Sequence, residues 1–208
     1  FKGFDFISFI KIIKKANLFY IFIASLLLVF SVWLRSIRWH YLLLNEKSIP
    51  FKILFEIEML GFFGNNVLPL RLGELYRGII LSNITKIPKS TVLGSIVLER
   101  IFDTMGLMFF SVVLLLYPID DQIKKYISFS IIFILIVGII LFIFYKFFYK
   151  KIQITMLKNF LRGVYGLDKK YLFKNISITI FLWSIFWMNT FLIQYSLNIE
   201  MTIMGTLL

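Results

Sequence analysis

Three stretches carry apolar residues at almost every position and show no polar face: 18–34 (LFYIFIASLLLVFSVWL), 126–149 (YISFSIIFILIVGIILFIFYKFFY) and 176–198 (ISITIFLWSIFWMNTFLIQYSLN). Runs of this kind approach or exceed the roughly 20 residues that a helix needs to cross about 30 Å of hydrocarbon. They predict spanning helices near 18–44, 126–149 and 176–198, the first lengthened by Arg35, whose long side chain can reach back toward the headgroups. A fourth spanning helix is predicted over 90–117 (STVLGSIVLERIFDTMGLMFFSVVLLLY), with Ser90 as N-cap and Pro118 as its stop. The fold class that follows is all-α: a polytopic helical membrane protein with a re-entrant broken segment and interfacial amphipathic helices.

The segments between these runs carry the exceptions. From Met59 to Leu70 the apolar sequence is too short to cross, and Gly61, Gly64, Asn65, Asn66 and Pro69 interrupt it, which predicts a re-entrant, broken segment over 51–69. Irregular backbone at membrane depth is tolerated only when it is buried in protein or lines a wet cavity, so such a break points to a site. The alternative makes Glu56 and Glu58 part of an ordinary surface loop. After Pro69 a helix is predicted over 71–82, with Arg71, Glu74 and Arg77 on one stripe and Leu72, Leu75, Tyr76, Ile79 and Ile80 on the apolar side. It either lies on the membrane surface or, through its N-terminus beside Gly73 and two Arg, offers an anion site. Ile152, Met156, Phe160 and Val164 recur at a four-residue step within a basic stretch, predicting an interfacial helix over 151–175, and residues 1–17 read as a basic amphipathic lead-in.

Composition sharpens this picture. With 60% hydrophobic and 19% aromatic residues and a mean hydropathy of +0.88, the chain is an integral membrane protein. Its formal charge of +12 comes from Lys and Arg at the ends of apolar runs, where anionic headgroups and the positive-inside bias account for them, so nucleic acid is not an expected partner. That bias puts 150–175 on the cytoplasmic side of the inner cell membrane, and alternation puts 71–90 there too. The orientation of the first helix depends on whether 51–69 re-enters or crosses. The chain has no Cys and a single His, which excludes thiolate chemistry and His-rich or Cys-type metal centres, so neither a metal nor a cofactor is expected. Phe1 at the start and the apolar IEMTIMGTLL at the end suggest that 1–208 is one transmembrane domain taken from a longer polytopic protein.

The candidate chemistry lies between Gly61 and Asp103. If Ser90 sits at the interface, Glu99 and Asp103 stand roughly 14 and 20 Å along their helix, inside the hydrocarbon. A charge at the bilayer centre costs about 2.5 to 3.5 kcal/mol even on the lenient insertion scale, so these groups need partners. Arg100 can reach Asp103 one turn away, but a second cation must come from another segment, and Arg71 and Arg77 are nearest in sequence. Arg35, Arg38 and Trp39 share a flank of the first helix, where the plainer reading is an interfacial anchor and the sharper one a part of the site. His40 reads as an interfacial side chain. A structural salt-bridge cluster without a ligand is the alternative for the whole group.

R-x-x-R-W at 35–39, the run from Gly61 or Gly64 through Asn66, Leu68, Pro69, Arg71, Gly73, Glu74 and Arg77, and E-R-x-x-D at 99–103 resemble the lysylphosphatidylglycerol synthase transmembrane, or flippase-like, family. The ordered motifs cover about 70 residues. The resemblance implies a membrane part that moves phospholipid or lipid-linked headgroups between leaflets. Nothing here resembles the soluble aminoacyl-transferase domain that follows it in some members, nor the second Gly/Pro-rich, Glu-containing loop that the family usually carries toward its C-terminal side.

The function expected is therefore that of a lipid transporter rather than an enzyme. Arg35, Arg38, Asn65, Asn66, Arg71, Arg77 and Arg100 would meet a lipid phosphate, with Glu74, Glu99 and Asp103 as the balancing charges and Gly61, Gly64, Pro69 and Gly73 forming the break. Five Arg against those three acids leave two positive charges, enough to attract one phosphate. The expected partner is a membrane phospholipid or lipid-linked substrate, with a second copy of the chain or a partner enzyme as further candidates. The rival readings are a lipid-modifying, glycosyltransferase-like membrane enzyme and a structural subunit that anchors a partner.

Overall fold

The computed structural model describes residues 16–118, 120–148 and 154–199, apart from the side chains of Arg71, Leu141, Phe144, Tyr145, Phe147 and Phe148. The predicted lead-in at 1–17 lies almost entirely outside the described residues. Those residues form seven α-helices and no strand: α1 (Leu18–Leu43), α2 (Phe51–Val67), α3 (Gly73–Thr85), α4 (Lys89–Leu115), α5 (Asp121–Phe148), α6 (Thr155–Tyr165) and α7 (Lys169–Ser196). The all-α class is as the sequence predicts. Three helices are long and apolar enough to span a membrane: α1, α7 and the Asp121–Ile140 part of α5. At 27 residues α4 is as long, but it carries Glu99, Arg100 and Asp103.

Local chemistry sets the boundaries. The side chain of Asn17 accepts from Phe19 N–H at the start of α1, and that of Asp168 accepts from Lys170 N–H at the start of α7. Pro50 and Pro88 precede α2 and α4, where a missing N–H costs nothing. So Ser90 is not the cap of α4: the helix already includes Lys89, and Ser90 is buried in its first turn. Lys86 closes α3 in the left-handed conformation, its N–H donating to Ser82 O.

Three expectations are corrected. The helix over 51–67 is continuous through Gly61, Gly64, Asn65 and Asn66, and the chain breaks only at Leu68–Leu72, where Pro69 opens a single 3-10 turn and Leu70 takes φ 57°. Gly73 is the first residue of α3, which runs to Thr85 rather than ending at 82. Glycine inside α2 serves contact: Gly64 meets Gly73, where an added Cβ would lie 2.9 Å from the Gly73 Cα. The predicted helix over 151–175 is two elements, because Gly166, Leu167 and Asp168 end α6 and start α7 well before Ile176. Its first residues, 151–153, lie outside the described ones, as does Tyr149 at the end of the predicted 126–149 span.

Contacts at the ends order the bundle. Ser196 O accepts from Asn17 N–H at one end, so α1 and α7 run antiparallel along their whole length. At the other end the α1–α2 loop collects the remaining connections. Asn45 Nδ2 donates to Gly166 O at 2.5 Å, Arg162 forks onto both oxygens of Glu46, and Lys47 Nζ donates to Thr85 O at 3.2 Å. The antiparallel α2–α3 hairpin therefore starts and finishes at the same end of the bundle. Its 17- and 13-residue arms are about 25 and 20 Å long, less than the thickness of the hydrocarbon.

The main core fills the space between this hairpin, α1 and α4, with Trp39, Leu42, Leu54, Ile57, Leu81, Val92 and Phe102 all buried. A smaller one joins α1 and α7 through Leu34, Leu182 and Ile185. Helix α6 presses on α4 where Gly94 meets Gly163, close enough that a Cβ on Gly94 would stand 3.0 Å from the Gly163 Cα. In contrast α5 has none of its apolar window buried by the described residues.

Candidate functional site

The charged residues of four helices converge beside the main core, and α7 adds the hydroxyl of Thr179. Arg77 of α3 is held by Glu58 of α2 and by Glu99 of α4, whose Oε2 lies 2.5 Å from Nη2. Arg38 of α1 donates from Nη1 to Asp103 Oδ1 at 2.7 Å and to Thr179 Oγ1 of α7 at 3.1 Å, and its Nη2 stands 3.6 Å from Glu99. Arg100 spans Asp103 at 3.1 Å and Glu74 at 3.7 Å. Arg35 reaches Asp103 only at 3.7 Å.

Burial divides these groups. The side chains of Arg38 and Glu99 are 0% exposed, and those of Arg77 and Glu58 3%. Trp39, also buried, donates from Nε1 to Ser95 Oγ at 3.0 Å and lies under the Arg77 guanidinium at 4.7 Å. Arg38 and Trp39 are thus parts of the centre, not an interfacial anchor, and α3 is not a surface helix with a solvated charged stripe. His40 also has a partner, its Nδ1 donating to Ile49 O at 2.7 Å. Arg100 and Glu74 form the accessible side, at 42% and 27% exposure.

Close approach of α2 and α3 makes this convergence possible. A Cβ on Gly61 would stand 2.9 Å from Arg77 Cδ, and one on Gly73 would run into Gly61 O and the Asn65 amide. Without side chains at these points the Arg77 stem passes across α2 to reach Glu58 and Glu99. The first turn of α3 already carries a carboxylate, that of Glu74, which suits the positive end of the helix dipole.

A cavity of about 420 Å³ opens on the accessible side. Its walls come from α2 (Glu58, Gly61, Phe62, Asn65 and Asn66), α3 (Glu74 and Arg77), Arg35 of α1 and Arg100 of α4. Several buried polar atoms on this wall make no hydrogen bond: Nε of Arg35, Arg77 and Arg100, and Asn65 Oδ1. Asn66 is committed otherwise, its Nδ2 donating to Phe62 O of its own helix at 2.9 Å.

Of the sequence-predicted residues, Arg35, Arg38, Arg77, Arg100, Glu74, Glu99 and Asp103 form one connected network, and Asn65 and Asn66 line its cavity. Glu99 faces Arg77 as the acid pair demands, whereas Asp103 draws its cations from α1 and its own helix. Pro69 sets the hairpin turn outside the cavity wall. The side chain of Arg71 lies outside the described ones. The residue missed was Glu58. Its signal was the buried series Leu54, Ile57, Glu58, Gly61 and Gly64, a helical stripe on which one carboxylate replaces an apolar side chain. Glu58 is a fourth acid that the sequence reading did not count, so among the described side chains four Arg meet four acids.

The fold and this site define an integral membrane protein of the helical class, with an ion-paired centre held between its helices. The chain belongs to the lysylphosphatidylglycerol synthase TM region family, which matches residues 1–208. It is similar to UPF0104 membrane protein MJ1595 of Methanocaldococcus jannaschii, with 30% identity over 130 residues. That match takes in 60% of this chain and 39% of the relative, well under half of the relative's length. No solved structure matches it.

Proposed function

We propose that the chain binds the phosphate of a phospholipid or lipid-linked headgroup in the cavity between α2, α3 and α4, and that it takes part in moving such lipids between leaflets. In this reading the α2–α3 hairpin is re-entrant, and the end of the bundle that carries the α1–α2 loop and α6 faces the cytoplasm across the inner cell membrane. The basic character of α6 and the start of α7 supports that side.

The observation that carries the reading is Arg35. It lines the cavity, is 12% exposed, has an unbonded Nε and approaches the Asp103 carboxylate no closer than 3.7 Å. Arg38 and Arg77 are each held by two acids, so Arg35, with its unbonded Nε, and the half-exposed Arg100 are the cations best placed to turn toward a ligand. Because the described side chains of the network balance, a phosphate is received by these directed donors, with Arg35 and Arg100 released in part from Asp103. Asn65 Oδ1, an acceptor without a partner, suits a hydroxyl or amine of the same headgroup.

The test is a headgroup-accessibility assay in vesicles with the full-length protein. Arg35→Gln and Arg100→Gln are each expected to slow the exposure of labelled phospholipid about tenfold, and the pair together further. Equal rates for wild type and both variants would remove the transport reading. Formation of a new lipid product would favour the enzyme reading instead.

A further inference from the structure

Between α4 and α7 a second, apolar recess of about 170 Å³ lies deeper in the bundle, lined by Leu107, Phe110, Ser111 and Leu114 on one side and by Phe186 and Trp187 on the other. A mostly apolar space of this size has room for an apolar occupant; about 150 Å³ suffices for benzene. It joins the polar cavity through one side chain. The guanidinium of Arg35 sits 5.6 Å from the Phe62 ring, which lines the polar cavity, and 5.3 Å from the Phe186 ring, which lines the apolar recess. Along α4, Ser111 is about 12 Å beyond Asp103.

We propose that the α4–α7 recess holds an acyl chain of the same lipid whose phosphate meets Arg35, so that Arg35 marks the junction between the headgroup and chain subsites. This inference rests on the headgroup reading of the polar cavity. The spacing suits it: a lipid phosphate at Arg35 with its chain running about 12 Å along α4 has the ordinary layout of a lipid, polar end nearer the loop end and tail farther from it. The aromatic brackets on Arg35 also allow its charge to be approached by apolar groups without stranding it, since each ring face supplies partial compensation. Filling the recess must therefore affect long-chain lipid without affecting a headgroup that lacks chains.

The experiment uses full-length protein in nanodiscs containing a phosphatidylglycerol with a diazirine on one acyl chain. Glycerophosphoglycerol is the chain-free probe. On illumination the wild type is expected to be labelled within 107–114 and 183–190 above the level on α5, whose lipid-facing surface serves as reference. Ser111→Trp, which fills the recess, should cut that labelling about tenfold while glycerophosphoglycerol binding stays within twofold, and Arg35→Gln should reduce both. Mapping in the wild type needs no folded variant, and an unchanged melting curve for Ser111→Trp confirms that its effect is local. Labelling no greater in the recess than on α5, with Arg35-dependent binding of glycerophosphoglycerol intact, overturns the inference and leaves the headgroup reading standing. Recess labelling that Arg35→Gln does not change, together with no binding of glycerophosphoglycerol, overturns the headgroup reading and with it the proposed junction.

Discussion

Glu58 and Arg77, on opposite arms of one helical hairpin, form a buried ion pair, each side chain being 3% exposed. The pair is worth little against an apolar substitute, but breaking it from one side leaves an uncompensated buried charge, at about 3 to 5 kcal/mol. The two sides are unequal, because Arg77 has a second acid in Glu99 while Glu58 has no other direct cation among the described ion pairs. Arg77→Met should therefore lower the melting temperature in detergent more than Glu58→Gln does. Equal losses would show that Glu99 does not share the guanidinium.

Gly64 and Gly73 permit the hairpin to close, and a methyl group at either would meet backbone on the other arm, which cannot swing aside. Gly64→Ala and Gly73→Ala are expected to cost about 1 to 3 kcal/mol, the range for overpacking. Gly138→Ala on α5 is the control, since nothing lies within 4 Å of its added Cβ. It should leave stability equal or slightly higher, through helix propensity. A melt in which all three behave alike would contradict the close approach.

Arg38 and Arg35 are one helical turn apart but should respond differently. Arg38 has fixed partners on α4 and α7, so Arg38→Lys keeps the charge yet loses the planar guanidinium whose Nη1 serves Asp103 and Thr179 while its Nη2 stands 3.6 Å from Glu99. A loss of about 2 kcal/mol is expected, of the size for hydrogen bonds to charged groups. Arg35→Gln, with no hydrogen bond to lose, should melt within a few degrees of wild type while slowing lipid exposure. The reverse order in a melting series would reassign the two.

Trp39→Phe removes the Nε1 donor but keeps the packing. Ser95 Oγ retains its own bond to Val92 O at 2.7 Å, so the loss should be about 1 kcal/mol, read as a small downward shift of the melting curve. A larger loss would assign more weight to the Arg77–Trp39 stacking.

The all-α class and most of the charged network were legible in the sequence, because a charge in an apolar run must find a partner and few were on offer. Asp103 and Glu99 announced themselves in this way. Glu58 did not, since its helix also bears the exposed Glu56 and the Lys52 paired with it at 3.9 Å, so the segment reads as half solvated. Asn65 and Asn66, together with Gly61 and Gly64, suggested a break because propensity counts them as helix breakers. Tertiary contact reverses their meaning, since the glycines are where a second helix lies against the first. Arg38 and Trp39 look alike as anchor and as core, and only the position of α4 and α7 separates the two.

The ion pairs are shared among segments that are made one after another. α1 brings Arg35 and Arg38, α2 then brings Glu58, α3 brings Glu74 and Arg77, and only α4 supplies Glu99 and Asp103. Synthesis proceeds from the N-terminus, so the two guanidinium groups of α1 reach the bilayer before any acid that neutralises them. Biogenesis of this protein is consequently a waiting problem: α1 and the hairpin settle to their final depth once α4 has emerged. Nascent chains halted before Glu99 should leave Arg38 within reach of aqueous reagents, and chains halted after Tyr117 should not.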